Sequence, residues 1–279
     1  MVGDDRRLST DQAPLFDGTR PLKRWRYVGV FNEQLAACAA LVQIGPLRQS
    51  FWALHLREQG LARERTRMRP RRAEVILLGG PGSPVRGPGR LRVCDRGAQL
   101  ELELHEDGGI QALCPNGASR VWTRKQAGIT AQGTLRLDGG PIRPIQARAV
   151  IDDTAGYHAR ETEWWWSAGV GEGMDGVALA WNLVSGVNDP PSGSERAVWV
   201  AGVPSETEAV DFAADLSSIR CSDGSALRFS GESERARHDN LLLLASDYRA
   251  PFGTFSGELP GGIALAKGFG VMEHHRARW

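Results

Sequence analysis

The run AQLELELH, residues 98–105, alternates without a break, with Leu100, Leu102 and Leu104 on one side and Glu101, Glu103 and His105 on the other. Successive side chains of a β-strand point to opposite faces, so this pattern describes a half-buried strand and suits no helix face. Glu106-Asp107-Gly108-Gly109 then supplies a turn. Short runs rich in Val, Leu, Trp and Ile recur along the chain, each closed by Gly, Asp, Asn or Pro, which is the rhythm of a sandwich or barrel. Strands are predicted at Lys23–Val30, Ser50–Arg57, Glu74–Leu78, Thr134–Asp138, Ile142–Ile151, Gly176–Ser185, Arg196–Ala201 and Gly262–Gly270. Only Glu206–Leu216 admits a helix, and its Val210/Phe212 spacing suits a strand as well. The predicted fold class is all-β.

A chain of 279 residues stands at the size where one hydrophobic core gives way to two. Turn residues near position 150 separate two strand-rich halves, which predicts domains at 19–150 and 151–279 behind a loosely held tail, residues 1–18. With 34 basic and 33 acidic side chains the net charge is +1, which offers no global attraction to nucleic acid or to an anionic membrane. Cys38, Cys94, Cys114 and Cys221 are far apart with no CxxC or Cys/His ligand spacing, and the charged start MVGDDRRLSTDQ lacks the apolar core of a signal peptide. Both features lead us to expect a reduced, cytoplasmic protein. The longest apolar runs, such as Leu35–Ile44, fall short of the roughly 20 residues that span a bilayer.

Two segments point elsewhere. In LARERTRMRPRR, residues 61–72, arginines 63, 65, 67, 69 and 71 occupy every second position, so a strand would gather them on one face. Without interleaved aromatic residues for base stacking, this reads as a solvated face or a guarded edge strand in preference to a nucleic-acid site. The glycine-rich GGPGSPVRGPG, residues 79–89, lacks the Gly-Lys-Ser/Thr ending of a phosphate loop, and its prolines remove backbone donors. It is expected to be a long hairpin connection. SAGVGEG, residues 167–173, has no βαβ unit around it and is no dinucleotide fingerprint.

From Ile151 the character changes. Two adjacent carboxylates, Tyr157, His158, three consecutive tryptophans and the pair Trp181-Asn182 fall within about forty residues. Each tryptophan brings a large apolar surface and an N–H that needs a partner. If Thr162–Ala168 is a strand, Trp164 and Trp166 share a face with Thr162, while Trp165 lies opposite with Glu163 and Ser167. In the next strand Val177, Leu179, Trp181 and Leu183 line one side, and Ala178, Ala180, Asn182 and Val184 the other. Small residues with one polar anchor make room for a small molecule, although core packing would also account for the tryptophans.

The pattern Asp152-x-x-x-Gly156-x-x-x-x-x-Thr162-x-Trp164-x-Trp166-Ser167-Ala168-Gly169, then Trp181-Asn182-Leu183 and the terminal Gly268-x-Gly270-Val271-Met272-Glu273-His274-His275-x-Ala277-x-Trp279, resembles a bacterial domain family of unknown function. That family is similar at a distance to carotenoid 1,2-hydratase (hydroxyneurosporene synthase) and other lipocalin-like proteins. The resemblance covers nearly the whole chain after about residue 20. It implies two lipocalin-like antiparallel barrels or curled sandwiches packed together, with an apolar cavity, in a group that includes hydratases, cyclases and lipid carriers. Where the hydratases carry Asp-His-x-x-Gly, this chain has Asp153 in place of the histidine.

Protonating an alkene or an allylic alcohol needs an acid held in an apolar pocket, where desolvation raises a carboxyl pKa. Asp152 and Asp153 are the candidate acids, although adjacent strand residues face opposite ways and only one is expected to reach a cavity. His158 or Tyr157 would position water or return the proton, and Trp164, Trp166 or Trp181 would steady a carbocation. A closing turn before Gly156 would equally explain the two aspartates. Glu273, His274 and His275 invite a metal, but alternation separates the histidines and no partner stands at ligand spacing. The expectation is therefore catalytic Asp152, Asp153 and His158, with Tyr157, Thr162, Trp164, Trp166, Trp181, Asn182, Glu273, His274 and His275 at the ligand, and no metal or cofactor. Three functions remain: a hydratase, dehydratase or isomerase of an isoprenoid-like or acyl substrate, a non-catalytic carrier, or an interaction protein with a filled core.

Overall fold

The computed structural model of the chain describes residues 13–70, 74–79, 88–117, 119–241 and 244–278. A short hairpin of β1 (Phe16–Asp17) and β2 (Arg20–Pro21) precedes the first large sheet. That sheet is built from β3 (Lys23–Phe31), β4 (Leu35–Ile44), β5 (Leu47–Leu56), β6 (Leu61–Met68), β7 (Val75–Leu78), β8 (Gly89–Asp95), β9 (Ala98–Leu104), β10 (Ile110–Asn116), β11 (Ser119–Leu137) and β12 (Arg143–Gly156). The second holds β13 (Glu161–Gly173), β14 (Ala178–Ser185), β15 (Ala197–Val200), β16 (Val203–Glu206), β17 (Val210–Phe212), β18 (Ser218–Cys221), β19 (Ala226–Leu241), β20 (Leu244–Leu259) and β21 (Ile263–Arg278). Among the described residues the only helix is a single 3-10 turn at Arg57–Gln59.

The two sheets share one wiring. Their strand orders are β6-β5-β4-β3-β12-β11-β9-β8-β7, with β10 on β11, and β16-β15-β14-β13-β21-β20-β19-β18-β17. In each, the first strand pairs with the last, β3 with β12 and β13 with β21, so each curls into a half-barrel whose break lies mid-chain. Alternation then gives every strand an inner and an outer face. Val28, Val30, Leu100, Leu102 and Leu104 fill the first half-barrel, as the strict period of 98–105 requires. Trp181, Leu179, Leu183 and Met272 fill the second. The outer faces meet in a third core that includes Tyr27, Phe31, Trp166, Val170, Trp199 and Phe252.

Close packing explains two glycines of SAGVGEG's neighbourhood. A Cβ on Gly169 would stand 2.3 Å from the Trp181 ring, and one on Gly268 would stand 3.2 Å from it. The indole therefore lies against bare backbone, where no side chain fits.

The alternating arginines of β6 seal the seam of the first half-barrel. β6 and β7 end the sheet order and do not pair, yet Arg65 meets Asp95 at 2.7 Å, Arg63 meets Asp138 at 2.5 Å, and Arg67 pairs with Glu74. Trp52 Nε1 also donates to Asp95 Oδ2. β6 is an edge strand, and its charges face partners across the gap.

Several expectations change. The stretch Glu206–Leu216 holds the end of β16 and the short β17, with no helix, since Val210 follows strand spacing into the core. Residues 13–18 are not a loose tail: Ala13 is buried and Phe16–Asp17 pairs with Arg20–Pro21. β12 runs on to Gly156, and the second sheet starts at Glu161. β11 is far longer than the predicted Thr134–Asp138, because its buried Thr123, Arg124, Lys125 and Gln126 mask any apolar rhythm. Residues 1–12, 80–87 and Trp279 lie outside the described residues.

Candidate active site

A cavity of about 230 Å³ lies between the two half-barrels, in the core formed by their outer faces. The first sheet contributes Trp25, Tyr27, Phe51, Lys125 and Asp152. The second contributes Trp164, Trp166, Tyr248, Glu273 and His275, and His158 comes from the segment joining the sheets. Exposed Leu47 and Met68 stand at its rim.

The register of β13, β21 and β20 assembles one wall. Trp164 is directly opposite His275, Trp166 opposite Glu273, and Tyr248 flanks His275 on the other side. The His275 ring sits 4.3 Å from Trp164 and 5.3 Å from Tyr248, with Nε2 2.8 Å from Ser246 Oγ. Burial lowers its imidazole to about 3, so it is neutral at physiological pH. Glu273 accepts from Trp164 Nε1 at 2.8 Å and bonds the Tyr248 hydroxyl. Part of its surface opens to the cavity, and burial between the two sheets pushes the carboxyl up to about 7. Two neutral donors stabilise the carboxylate too weakly to offset desolvation.

The opposite wall is ionic. Asp152 Oδ1 accepts from Lys125 Nζ at 2.7 Å and Thr154 Oγ1 at 2.7 Å, and Oδ2 accepts from Trp25 Nε1 at 2.9 Å. Lys125 reaches across to Glu195 of the second half at 3.1 Å. Burial pulls the lysine down, but Asp152 and Glu195 outweigh it and hold the ammonium above its ordinary range. Burial pushes the Glu195 carboxyl up against that pull. Asn188 Nδ2 donates to Glu195 Oε2, Asn182 Nδ2 donates to the Glu195 carbonyl, and Trp166 Nε1 donates to Asn182 Oδ1. This chain of bonds ties both sheets to one tryptophan. His158, ring to ring with Trp25 at 5.3 Å, is lowered to about 3 by burial and then by the nearby Lys23 charge.

Of the residues singled out from sequence, the structure brings Asp152, His158, Trp164, Trp166, Glu273 and His275 to the cavity, with Asn182 just behind it. The others lie elsewhere. Asp153 points into the first half-barrel, bonded by Arg26 and Arg124, because it is one residue out of phase with Asp152. Trp181 likewise faces the second core, giving its N–H to Ser167. His274 stacks on Trp165 and meets Glu163 at 2.9 Å on the far side of β21. Tyr157 donates to the Pro14 carbonyl, and Thr162 is buried opposite Ala277 in the ladder. Sequence reasoning missed Trp25, Lys125, Glu195, Arg235 and Tyr248, which come from segments remote from the tryptophan cluster; the alternation of Lys23, Trp25 and Tyr27 on one side of β3 was the available signal.

The profile of a domain of unknown function, DUF2804, matches residues 94–279. The chain belongs to the DUF2804 family. No curated protein matches this DUF2804 chain by sequence. Its fold is similar to that of a protein named as a candidate AttH from Nitrosomonas europaea, at TM-score 0.60 and 14% identity, covering 94% of this chain and 98% of that one. It is also similar to kievitone hydratase from Nectria haematococca, at TM-score 0.53 and 11% identity over 100% of this chain and 93% of the hydratase. CghA with Sch210972 gives 0.52 at 8% identity, covering 98% and 95%. The DUF2804 chain thus has an all-β, lipocalin-like architecture of two curled half-barrels. No helix is long and apolar enough to cross a membrane, and no group of three or more His, Cys, Asp or Glu side chains is placed to hold a metal, among the described residues.

Proposed function

We propose that the cavity between the half-barrels binds an apolar, isoprenoid-like or acyl molecule, and that Glu273 is the proton donor of a cofactor-independent hydratase, dehydratase or isomerase. The observation that carries this reading is a carboxyl raised to about 7 in an apolar chamber, held by Trp164 and Tyr248. Such a group is poised to give and retake a proton near neutral pH. In hydration the Glu273 proton and the alkene π electrons form a C–H bond. Water adds its oxygen to the resulting cation, and the extra proton on that oxygen returns to the Glu273 carboxylate. The faces of Trp164 and Trp166 steady the cation. His275, neutral and fixed by Ser246, orients the water.

The catalytic role thus passes from Asp152 and Asp153 to Glu273. Asp152 is occupied by Lys125, Thr154 and Trp25, and acts as their counter-charge. Similarity in fold to a hydratase supports the reading. Non-catalytic carriage of the same ligands is the second reading, favoured by the way Asp152, Lys125 and Glu195 satisfy one another.

Incubating the protein with a panel of alkenes and allylic alcohols in ¹⁸O-water or D₂O, with mass analysis of products, tests it. Label should enter the product, and Glu273→Gln should lower the rate on the order of 10²- to 10⁴-fold. Turnover that survives this substitution removes Glu273 from the chemistry; binding without turnover in any member of the panel favours the carrier.

A further inference from the structure

The cavity also holds a buried cation, Arg235, whose paired carboxylate lies out toward solvent. Arg235, on β19, is 4% exposed and lines the chamber. Its guanidinium lies 4.0 Å over the Phe51 ring and 5.0 Å over the Tyr248 ring, and Nη2 donates to Thr66 Oγ1 at 2.6 Å. The nearest carboxylate that pairs with it, Glu64, stands 3.6 Å from Nε, beyond hydrogen-bonding reach, with its side chain 49% exposed. The guanidinium also bonds the Tyr248 hydroxyl, and among the described residues Nε has no hydrogen-bond partner. Elsewhere in the cavity, Lys125 lies between Asp152 and Glu195, and Arg237 meets Asp239 at 2.5 Å. A buried guanidinium with an N–H to spare favours a ligand oxygen bearing negative charge.

We infer that Arg235 anchors the carboxylate of an amphipathic acyl ligand, whose apolar body then lies along Trp164 and Trp166 toward Glu273. Tyr248 stands between the two ends, its ring under Arg235 and its hydroxyl on Glu273. The anchor would hold the chain so that an unsaturated or hydroxylated carbon, remote from the carboxylate, meets the acid. This deepens the proposed ligand cavity by choosing acyl over hydrocarbon ligands, and it rests on that cavity being a ligand site.

Trp25, Trp164 and Trp166 supply the readout, because a ligand in the chamber alters their fluorescence. Titrate the wild-type protein at pH 8 with decanoate, methyl decanoate and decanol. Decanoate should bind about ten-fold or more tightly than its ester, the usual margin for a charge-assisted hydrogen bond in a buried site. Arg235→Gln should bring decanoate down to the ester's affinity and leave the ester's Kd nearly unchanged, with Arg235→Lys between them. Equal wild-type affinities for acid and ester overturn the anchor while leaving the cavity as a ligand site. Failure of all three to bind overturns both. The acid-to-ester ratio is read on the wild-type chain, so the test stands even if a variant fails to fold.

Discussion

Two buried polar clusters sit back to back across the first sheet, and adjacent residues of β12 serve them. Asp153 and Glu106 lie inside the first half-barrel, where Arg124 gives Nη2 to each, at 2.7 and 2.8 Å, and Arg26 grips both again. On the other face Glu273 meets an indole N–H and a phenol. Both places are sheltered from solvent. The difference is that two arginines pair with the carboxylates on one side, while at Glu273 the bonding partners are neutral donors and burial raises its pKa. At Glu273 it is burial combined with neutral donors that makes the acid.

The comparison is broken most severely by Arg124→Met, which strips Asp153 and Glu106 of a shared cation. Loss of roughly 3–5 kcal/mol in urea unfolding is expected, as for one partner of a buried pair. Affinity for apolar ligands should persist where the variant remains folded, and a loss below about 1 kcal/mol would mean the cluster is effectively solvated. Next comes the pH dependence of Glu273. Its folded value of about 7 is above the usual 4.5, so its contribution to stability is complete below 4.5 and is lost as pH rises through 7. Wild type minus Glu273→Gln should change by roughly 3 kcal/mol across that window, and turnover should fall as pH passes about 7. A flat difference would place Glu273 among ordinary carboxylates. The difference cancels His158 and His275, whose lowered values act in the opposite sense, protecting the fold above 6.5 and failing as pH drops toward 3. The smallest effect is predicted for Arg65→Gln, because Arg65 is partly exposed and its partner Asp95 keeps the Trp52 N–H as a second donor. Thermal unfolding should register about 1 kcal/mol or less; a larger loss would make the seam as critical as the Arg124 cluster.

Much of this was readable from residue order. Strand parity separated Trp164 and Trp166 from Trp165, put Asn182 opposite Trp181, and predicted that only one of Asp152 and Asp153 would reach a cavity. The structure has each pair on opposite faces. Residue type is the poorer guide at Trp181: as a tryptophan it counts among the expected ligand contacts, yet parity places it with Leu179 and Leu183, and the structure keeps it on that face. Glu273 was named only as a ligand contact. Nothing local shows that Trp164 and Tyr248 would stand beside it, because antiparallel registers across β13, β21 and β20 bring them there.

The amino-acid order alone determined which side chains share a strand face, since that depends only on a two-residue period. It could not decide which face meets the other half-barrel. That choice arises when two curled sheets pack outer face to outer face, drawing Lys125, Asp152 and Arg235 into one chamber with Glu273. The acid's raised pKa comes from the same event, because desolvation acts on a carboxyl only after both sheets have closed around it.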